Sequence, residues 1–306
     1  MQQNLKIGKL VGKVKIYQKF RIEGYFDNFI EKYKNYPITI YTDYPIQPQD
    51  IDYNRINLFM IHEPNEIFNI HNWVIQNHHL FHGIISWNKD LVKAVPNGIE
   101  FPCSWRMNGN SVWEFLGPKK FEVTFLCGTK KITEGHKLRH KVLELKDNIS
   151  VPHRFYETLE DWDTSTNTRP GYSEYSKDLS HIPNAAKFEP NIYGKKDLYI
   201  NSMFNIGIEN VKHDNWINDK LYSCFSSLVV PIYWGCENLE ELGYDERGVI
   251  RFNSKEELKH ILDNLTEQDY HNRLEYLKHN YEVNKKDTLE DNLSYILDEL
   301  IKLNNI

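Results

Sequence analysis

Phe204-Asn-Ile-Gly-Ile-Glu-Asn-Val-Lys-His-Asp-Asn-Trp-Ile-Asn-Asp-Lys-Leu221, continued by Pro231-Ile-Tyr-Trp-Gly235, runs as an apolar strand, a polar loop, a helix start and a second apolar strand. Asn218 is an N-cap residue by type, which puts Asp219 and Lys220 in the first helical turn. Free backbone N–H groups and the helix dipole at such a place favour a phosphate. Lys220 adds a point charge there, and Asp219 is placed to accept hydrogen bonds from ribose hydroxyls. Taken alone, the fragment equally permits Asp219 to offset the dipole and Lys220 to be a solvated helix lysine.

Upstream, strand and helix patterns alternate. KVKIYQK (13–19), PITIYTD (37–43), INLFMIHEP (56–64), FHGIISW (81–87) and GIEFPCS (98–104) read as strands. YFDNFIEKY (25–33), residues 66–80 and NKDLVKAV (88–95) read as helices. The pattern breaks over Trp105 to Lys120, where Gly109, Gly117 and Pro118 mark a link. It restarts with a strand at 121–129 and a helix at 134–145, and after polar residues 150–197, read as long loops with short elements, it continues into the quoted segment. Nearly all-apolar strands alternating with helices predict a parallel sheet covered on both faces. The expectation is therefore two doubly wound α/β domains in series, at about 1–110 and 118–285. A last helix over 286–306 is able to cross back to the first. Ligands are expected at the carboxyl ends of the strands and between the domains.

The totals narrow the function. A chain of 306 residues with 40% apolar and 26% charged residues supports two cores and is not disordered. Its net charge of −6 is a poor match to nucleic acid, which needs a basic face. Cys103, Cys127, Cys224 and Cys236 form no CxxC and read as buried free thiols of a reducing cytosol. No signal peptide is visible and no window approaches ~18 consecutive apolar residues, so a cytoplasmic protein without a transmembrane segment is expected.

Common catalytic motifs are missing. There is no GxGxxG, no GxxxxGK[ST] and no GxSxG. The nearest acidic pair for a metal, Asp161-Trp162-Asp163, sits in a polar loop, and neither His78-His79 nor His136/His140 has ligand company for zinc. No metal or other cofactor is expected.

The quoted segment resembles the donor-binding signature of family 10 glycosyltransferases, the α-1,3/1,4-fucosyltransferases. Their pattern is roughly F-x-x-x-x-E-N, ten residues from that Asn to the Lys of T-E-K, then a helix and P-x-x-x-G. Here it is met by Phe204, Glu209, Asn210, Asp219-Lys220 and Pro231 to Gly235, with Trp216 where the family has an aromatic Tyr. GHKLRHKVLEL (135–145) resembles the segment whose Arg contacts the donor phosphates, which would be Arg139. His62-Glu63-Pro64 ends a strand where the family carries its acidic base. The likeness is densest over 195–265, shorter over 120–145, and keeps order over 55–105. Two departures bear on donor identity: Asn218-Asp219 replaces Thr-Glu, and VKHDN replaces a Gly-rich loop.

The resemblance implies a GT-B-like fold and inverting, metal-independent transfer of fucose or a similar sugar from a GDP-sugar to a glycan hydroxyl. Glu63 would be the base, with Glu66 and Asp43 as rivals. Arg139, Glu209, Asn210, Trp216, Asp219 and Lys220 would bind the donor, although Glu209 also reads as a buried carboxylate tied to loop backbone. Neither Arg139 nor Lys220 is read as core. Two alternatives stand beside this reading. One is a GT-B transferase for another nucleotide sugar; the other is an inactive glycan- or nucleotide-binding module.

Overall fold

A computed structural model describes residues 7–11, 14–17, 31–101, 103–104, 116–158, 172–176, 198–199, 201–286 and 289–303. Most of the expected helix at 25–33, most of the link at 105–120, the loop pair Asp161/Asp163 and most of the polar stretch 159–197 lie outside these residues. The fold is mixed α/β with parallel sheets. The chain divides into two compact units, Met1–Asn110 with Asp214–Trp216 and Asp287–Ile306, and Ser111–His213 with Ile217–Lys286.

The first unit holds a six-stranded sheet of β1 (Ile7–Val11), β2 (Val14–Tyr17), β3 (Ile38–Thr42), β4 (Ile56–Ile61), β5 (Gly83–Ser86) and β6 (Gly98–Glu100), paired in chain order. β1 and β2 form an antiparallel hairpin that the sequence reading lacked, and every later pair is parallel. All side chains of β3, β4 and β5 are buried, as continuous apolar runs require when a sheet is covered on both faces. Two short helices, α1 (His71–Asn77) and α2 (Lys89–Ala94), connect these strands. α1 is shorter than the apolar pattern over 66–80 predicts. The Asn65 side chain accepts from the N–H groups of Ile70 (3.0 Å) and His71 (3.1 Å) and holds the preceding residues in a turn. The chain past Asn77 tightens into a 3₁₀ turn at His78–Leu80.

The second unit holds β7 (Lys120–Cys127), β8 (His153–Thr158), β9 (Tyr172–Ser176), β10 (Ser202–Ile208), β11 (Val230–Trp234) and β12 (Ile250–Arg251), in spatial order β9-β8-β7-β10-β11-β12. Its helices are α3 (Glu134–Leu143), α4 (Asp219–Ser226), α5 (Lys255–Asn264), α6 (Glu267–His271) and α7 (Leu274–Lys286). All pairs are parallel except β8 with β9. The strand order reverses between β7 and β10, since the chain goes outward to β8 from one and to β11 from the other. Open α/β sheets bind ligands at the carboxyl ends of the strands beside such a reversal. The sequence reading missed β8 because its polar residues look like loop. Arg154 is in fact buried in a bidentate pair with Glu122 of β7 (Nε–Oε1 2.9 Å, Nη2–Oε1 2.7 Å), and its Nη1 donates to Tyr156 Oη at 2.9 Å.

Cys127, Cys224 and Cys236 are buried free thiols, as expected for them. Among the described residues no helix is long and apolar enough to cross a membrane.

The last helix, α8 (Leu289–Leu303), is counted with the first unit. Leu293, Ile296 and Leu297 pack with Ile38, Ile40, Leu58 and Met60 on one face of the sheet. The opposite face packs Phe59, Ile61 and Ile84 against Val74 of α1 and Leu91 of α2. Tyr33 adds a polar clasp, its hydroxyl donating to the Ser294 carbonyl at 2.8 Å and lying 2.7 Å from Asp298 Oδ1. Leu297 has no solvent exposure. Leu297→Ala is expected to lower the unfolding free energy of this unit by about 2–5 kcal/mol, through lost burial plus the cavity left behind. Urea titration followed by tryptophan fluorescence checks this, and an unchanged first transition would show that α8 does not seal the sheet.

Candidate functional site

At the reversal in the second unit, two helices start against the end of β10. Asn218 caps α4 as its type predicts, its Oδ1 accepting from the Asp219 N–H at 2.6 Å. Asp219 and Lys220 are the first two helical residues. α3 starts from Thr133, whose side chain accepts from the His136 N–H while His136 reaches back to the Thr133 N–H. This is a capping box with histidine in the place usually held by Glu or Gln. Gly135 lies against the carbonyls of Glu209 and Asn210, and its N–H donates to the latter at 3.0 Å. A Cβ there would overlap the Glu209 oxygen and come within 2.8 Å of the Asn210 oxygen, so only glycine lets α3 begin this close.

Glu209 is fully buried. Its Oε1 accepts from the Asn218 N–H (3.1 Å) and from Tyr233 Oη (3.2 Å), and its Oε2 is 3.4 Å from Lys220 Nζ. Burial raises its carboxyl above the ordinary range, Lys220 and Arg139 oppose that rise, and Asp219 adds to it. Gly235 makes room for this cluster, since a Cβ there would lie 2.5 Å from Glu209 Cγ and overlap the Tyr233 hydroxyl. Of the two sequence readings of Glu209, the tied carboxylate is the one observed. The expectation that it binds donor is corrected: its oxygens are spent on protein.

Arg139 corrects another expectation. It is 7% exposed, and its Nε and Nη2 donate to the Ile208 carbonyl at 2.9 and 2.6 Å. Nη2 also donates to Asn210 Oδ1 at 2.8 Å. It is thus a core residue that ties the end of β10, with Nη1 left over among the described contacts. Asn210 uses only Oδ1 in these contacts, which leaves its amide N–H groups for a ligand. Lys220 has a side chain 24% exposed and keeps Asp219 at 3.5 Å as its second partner. Lys220, Asp219, Asn210 and Arg139 therefore come together at one strand end.

Glu63 and Trp216 belong to the first unit. The peptide His62–Glu63 follows β4. Both its N–H groups are accepted by Asp43 Oδ1 (His62 at 2.8 Å, Glu63 at 3.1 Å), and the His62 carbonyl accepts from the indole N–H groups of Trp87 (3.1 Å) and Trp216 (2.9 Å). Trp216 has no exposure, so it presents no ring face to a nucleotide. The expected donor contact is corrected to support of the Glu63 turn. Asp43 has φ of 54°, a left-handed conformation that Asp tolerates better than most residues. Burial pushes its carboxyl up to about 7, against the two N–H groups it accepts, and the Glu63 charge adds to the rise. Burial holds His62 neutral, its imidazole lowered to about 3. Tyr233 and Gly135 lie in quoted segments but were given no role there, and Thr133 went unnoticed, although the T-x-x-H spacing of the capping box was a signal for it.

Among the described residues no group of three or more His, Cys, Asp or Glu is arranged to hold a metal ion. No family model matches the chain, and no curated protein matches it. Solved structures do. TarM is similar over 86% of this chain and 54% of its own, with a TM-score of 0.53 at 11% identity. An α1,3-fucosyltransferase aligns over 82% of this chain and 79% of its own, with a TM-score of 0.43 at 10% identity, and its complex with GDP-fucose gives 0.41 at 11%. The chain shares the mixed α/β, parallel-sheet fold of TarM. It spans about half the length of TarM.

The raised Asp43 carboxyl has a consequence for stability. Between its ordinary 3.8 and about 7 the native state binds a proton that the unfolded state has lost. Its contribution is thus full below about pH 4 and is lost as pH rises toward 7. Asp43→Asn keeps an oxygen for the two N–H groups and does not titrate. The variant's denaturation midpoint relative to wild type should therefore rise between about pH 4.5 and 7.5, with His62 affecting both proteins alike. Parallel midpoints across that window would show that Asp43 does not titrate there.

Proposed function

We propose that this chain is an inverting, metal-independent glycosyltransferase that moves fucose, or a similar deoxyhexose, from a GDP-sugar to a glycan hydroxyl. The observation that carries the reading is the convergence of Lys220, Asn210 and Arg139 with two helix N-termini at the β7/β10 reversal. Cationic groups and free backbone N–H groups at such a place suit a diphosphate. The E-N, D-K and P-x-x-x-G elements that resemble the fucosyltransferase signature supply this cluster, which supports a GDP-sugar as donor. In the reaction the acceptor oxygen attacks the anomeric carbon as the bond to GDP breaks. Lys220 offsets the charge of the departing diphosphate, and Arg139 holds Asn210 in place while offering its remaining N–H groups. Glu63 takes the acceptor's proton.

Binding is the first test. GDP should raise the melting temperature more than UDP or CMP, with or without excess EDTA, since a ligand at 100 times its dissociation constant stabilises by about 2.7 kcal/mol. A preference for UDP would move the reading to another nucleotide sugar, and a requirement for magnesium or manganese in transfer would overturn the phosphate site described. Lys220→Ala should stay folded and lose roughly 100-fold or more in turnover, as expected when a charge-assisted contact to a developing charge is removed. Arg139→Ala is a poorer probe, because it also frees the buried Ile208 carbonyl and should destabilise the unit.

Glu63→Gln separates chemistry from binding. General-base catalysis contributes about 10²–10⁴-fold, so turnover should fall by that amount while GDP affinity is little changed. Asp43, with its carboxyl raised to about 7, is one rival. An active Glu63→Gln beside an inactive Asp43→Asn would transfer the role to Asp43, and normal turnover in both would remove the base from this turn altogether.

A further inference from the structure

His136 occupies the third position of α3 and is 5% exposed. The account of the donor site gives it no part beyond the cap. Its Nδ1 lies 2.6 Å from Thr133 Oγ1 and 3.3 Å from the Thr133 backbone nitrogen. A backbone N–H only donates, so Nδ1 is an acceptor and the neutral ring carries its proton on Nε2. Thr133 Oγ1 accepts from the His136 N–H at 3.4 Å, which leaves its own proton to point at Nδ1. The tautomer is thus fixed by the capping box. Among the described residues Nε2–H meets no acceptor.

The position of this donor is set by its neighbours. His136 and Arg139 are three residues apart and share a helix face. Arg139 reaches Ile208 and Asn210 from that face, and Gly135 is pressed on the backbone of Glu209 and Asn210. His136 is therefore held beside the carboxyl end of β10. Burial lowers the imidazole to about 4, and the neighbouring groups that act on it, Arg139, Lys130, Lys220 and His140, all lower it further. A donor on a largely buried ring, open at its tip and set among groups that are cationic or become so on protonation, suits an anion.

We propose that His136 is a phosphate-binding residue of this site, donating Nε2–H to a diphosphate oxygen of the nucleotide sugar. The inference rests on the reading of the second unit as a donor site. Because the ring stays neutral, it adds a hydrogen bond without adding to the repulsion between Arg139 and Lys220. The role also accounts for histidine at a capping-box position where Glu would cap equally well but would repel a phosphate.

His136→Asn keeps an oxygen near the Nδ1 position for the Thr133 cap and removes the distal donor. His136→Gln places an amide N–H group near the Nε2 position. With the full chain, GDP binding is measured by calorimetry and guanosine binding by ligand-observed NMR. His136→Asn should weaken GDP about 10-fold or more, as for loss of one hydrogen bond to a charged group, and leave guanosine unchanged. His136→Gln should recover most of the loss. Should the Asn variant fail to fold, His136→Phe, which keeps the ring volume without a donor, gives the same comparison. Unchanged GDP affinity in the folded variants overturns the inference, as does an equal loss for GDP and guanosine, which would make His136 a purely structural cap. Failure of wild type itself to bind GDP would instead sink the donor-site reading on which the inference rests.

Discussion

The arrangement of the second unit depends on one buried carboxylate. Glu209 follows β10 directly and accepts from the Asn218 backbone at the start of α4 and from the Tyr233 hydroxyl on β11, with Lys220 3.4 Å away. Burying a charge is costly unless every lone pair is used, and this carboxylate has three partners. Removing it would orphan the Asn218 backbone N–H, take the acceptor from the Tyr233 hydroxyl and leave Lys220 with Asp219 alone. The glycines at 135 and 235 are subordinate to it, since each clears space for the Glu209 backbone or side chain. Its effect on Lys220 is indirect: a lysine held 3.4 Å from a buried acid has less rotamer freedom to lose when a phosphate arrives.

A second peptide is fixed in the same manner in the first unit. The N–H groups of His62 and Glu63 are taken by Asp43, and the His62 carbonyl by two indoles. Both sites thus lie at the carboxyl end of a buried parallel strand, where the next few residues are loop and would otherwise be mobile. In each, one buried acid makes the loop's backbone rigid, and the side chain expected to do chemistry, Lys220 or Glu63, is carried on that rigid backbone. Preorganisation of this kind is what electrostatic catalysis requires.

Much of this was legible in the sequence. Continuous apolar runs such as Ile56–Ile61 gave the buried strands, and the Asn218 cap gave the start of α4, because both are local: run length, and a side-chain oxygen beside free N–H groups. Lys220, from its place after the Asn218 cap and the family resemblance, and Asn210, from the resemblance, were singled out and do share a strand end. Errors arose where a polar residue is paired at long range. β8 was left unplaced among the short elements of 150–197 because nothing near Arg154 in sequence announces Glu122, 32 residues away. The resemblance offered Trp216, and Glu209 in one of its two readings, as donor contacts because a motif match is blind to whether a ring or carboxylate is already spent on protein.

The sequence by itself determined the class of fold, the order of most strands and helices, and the helix start at Asn218, since periodicity, caps and turn residues act within a few positions of one another. Only the tertiary structure decided which candidate groups are free to meet a ligand. Glu209 and Trp216 are consumed by bonds to Asn218 and His62 and Arg139 is largely spent on Ile208 and Asn210, while His136, set aside in the sequence, keeps a donor in hand. Hydrogen-bonding capacity is finite, and how it is spent depends on partners that the fold brings in from 9 to 154 positions away.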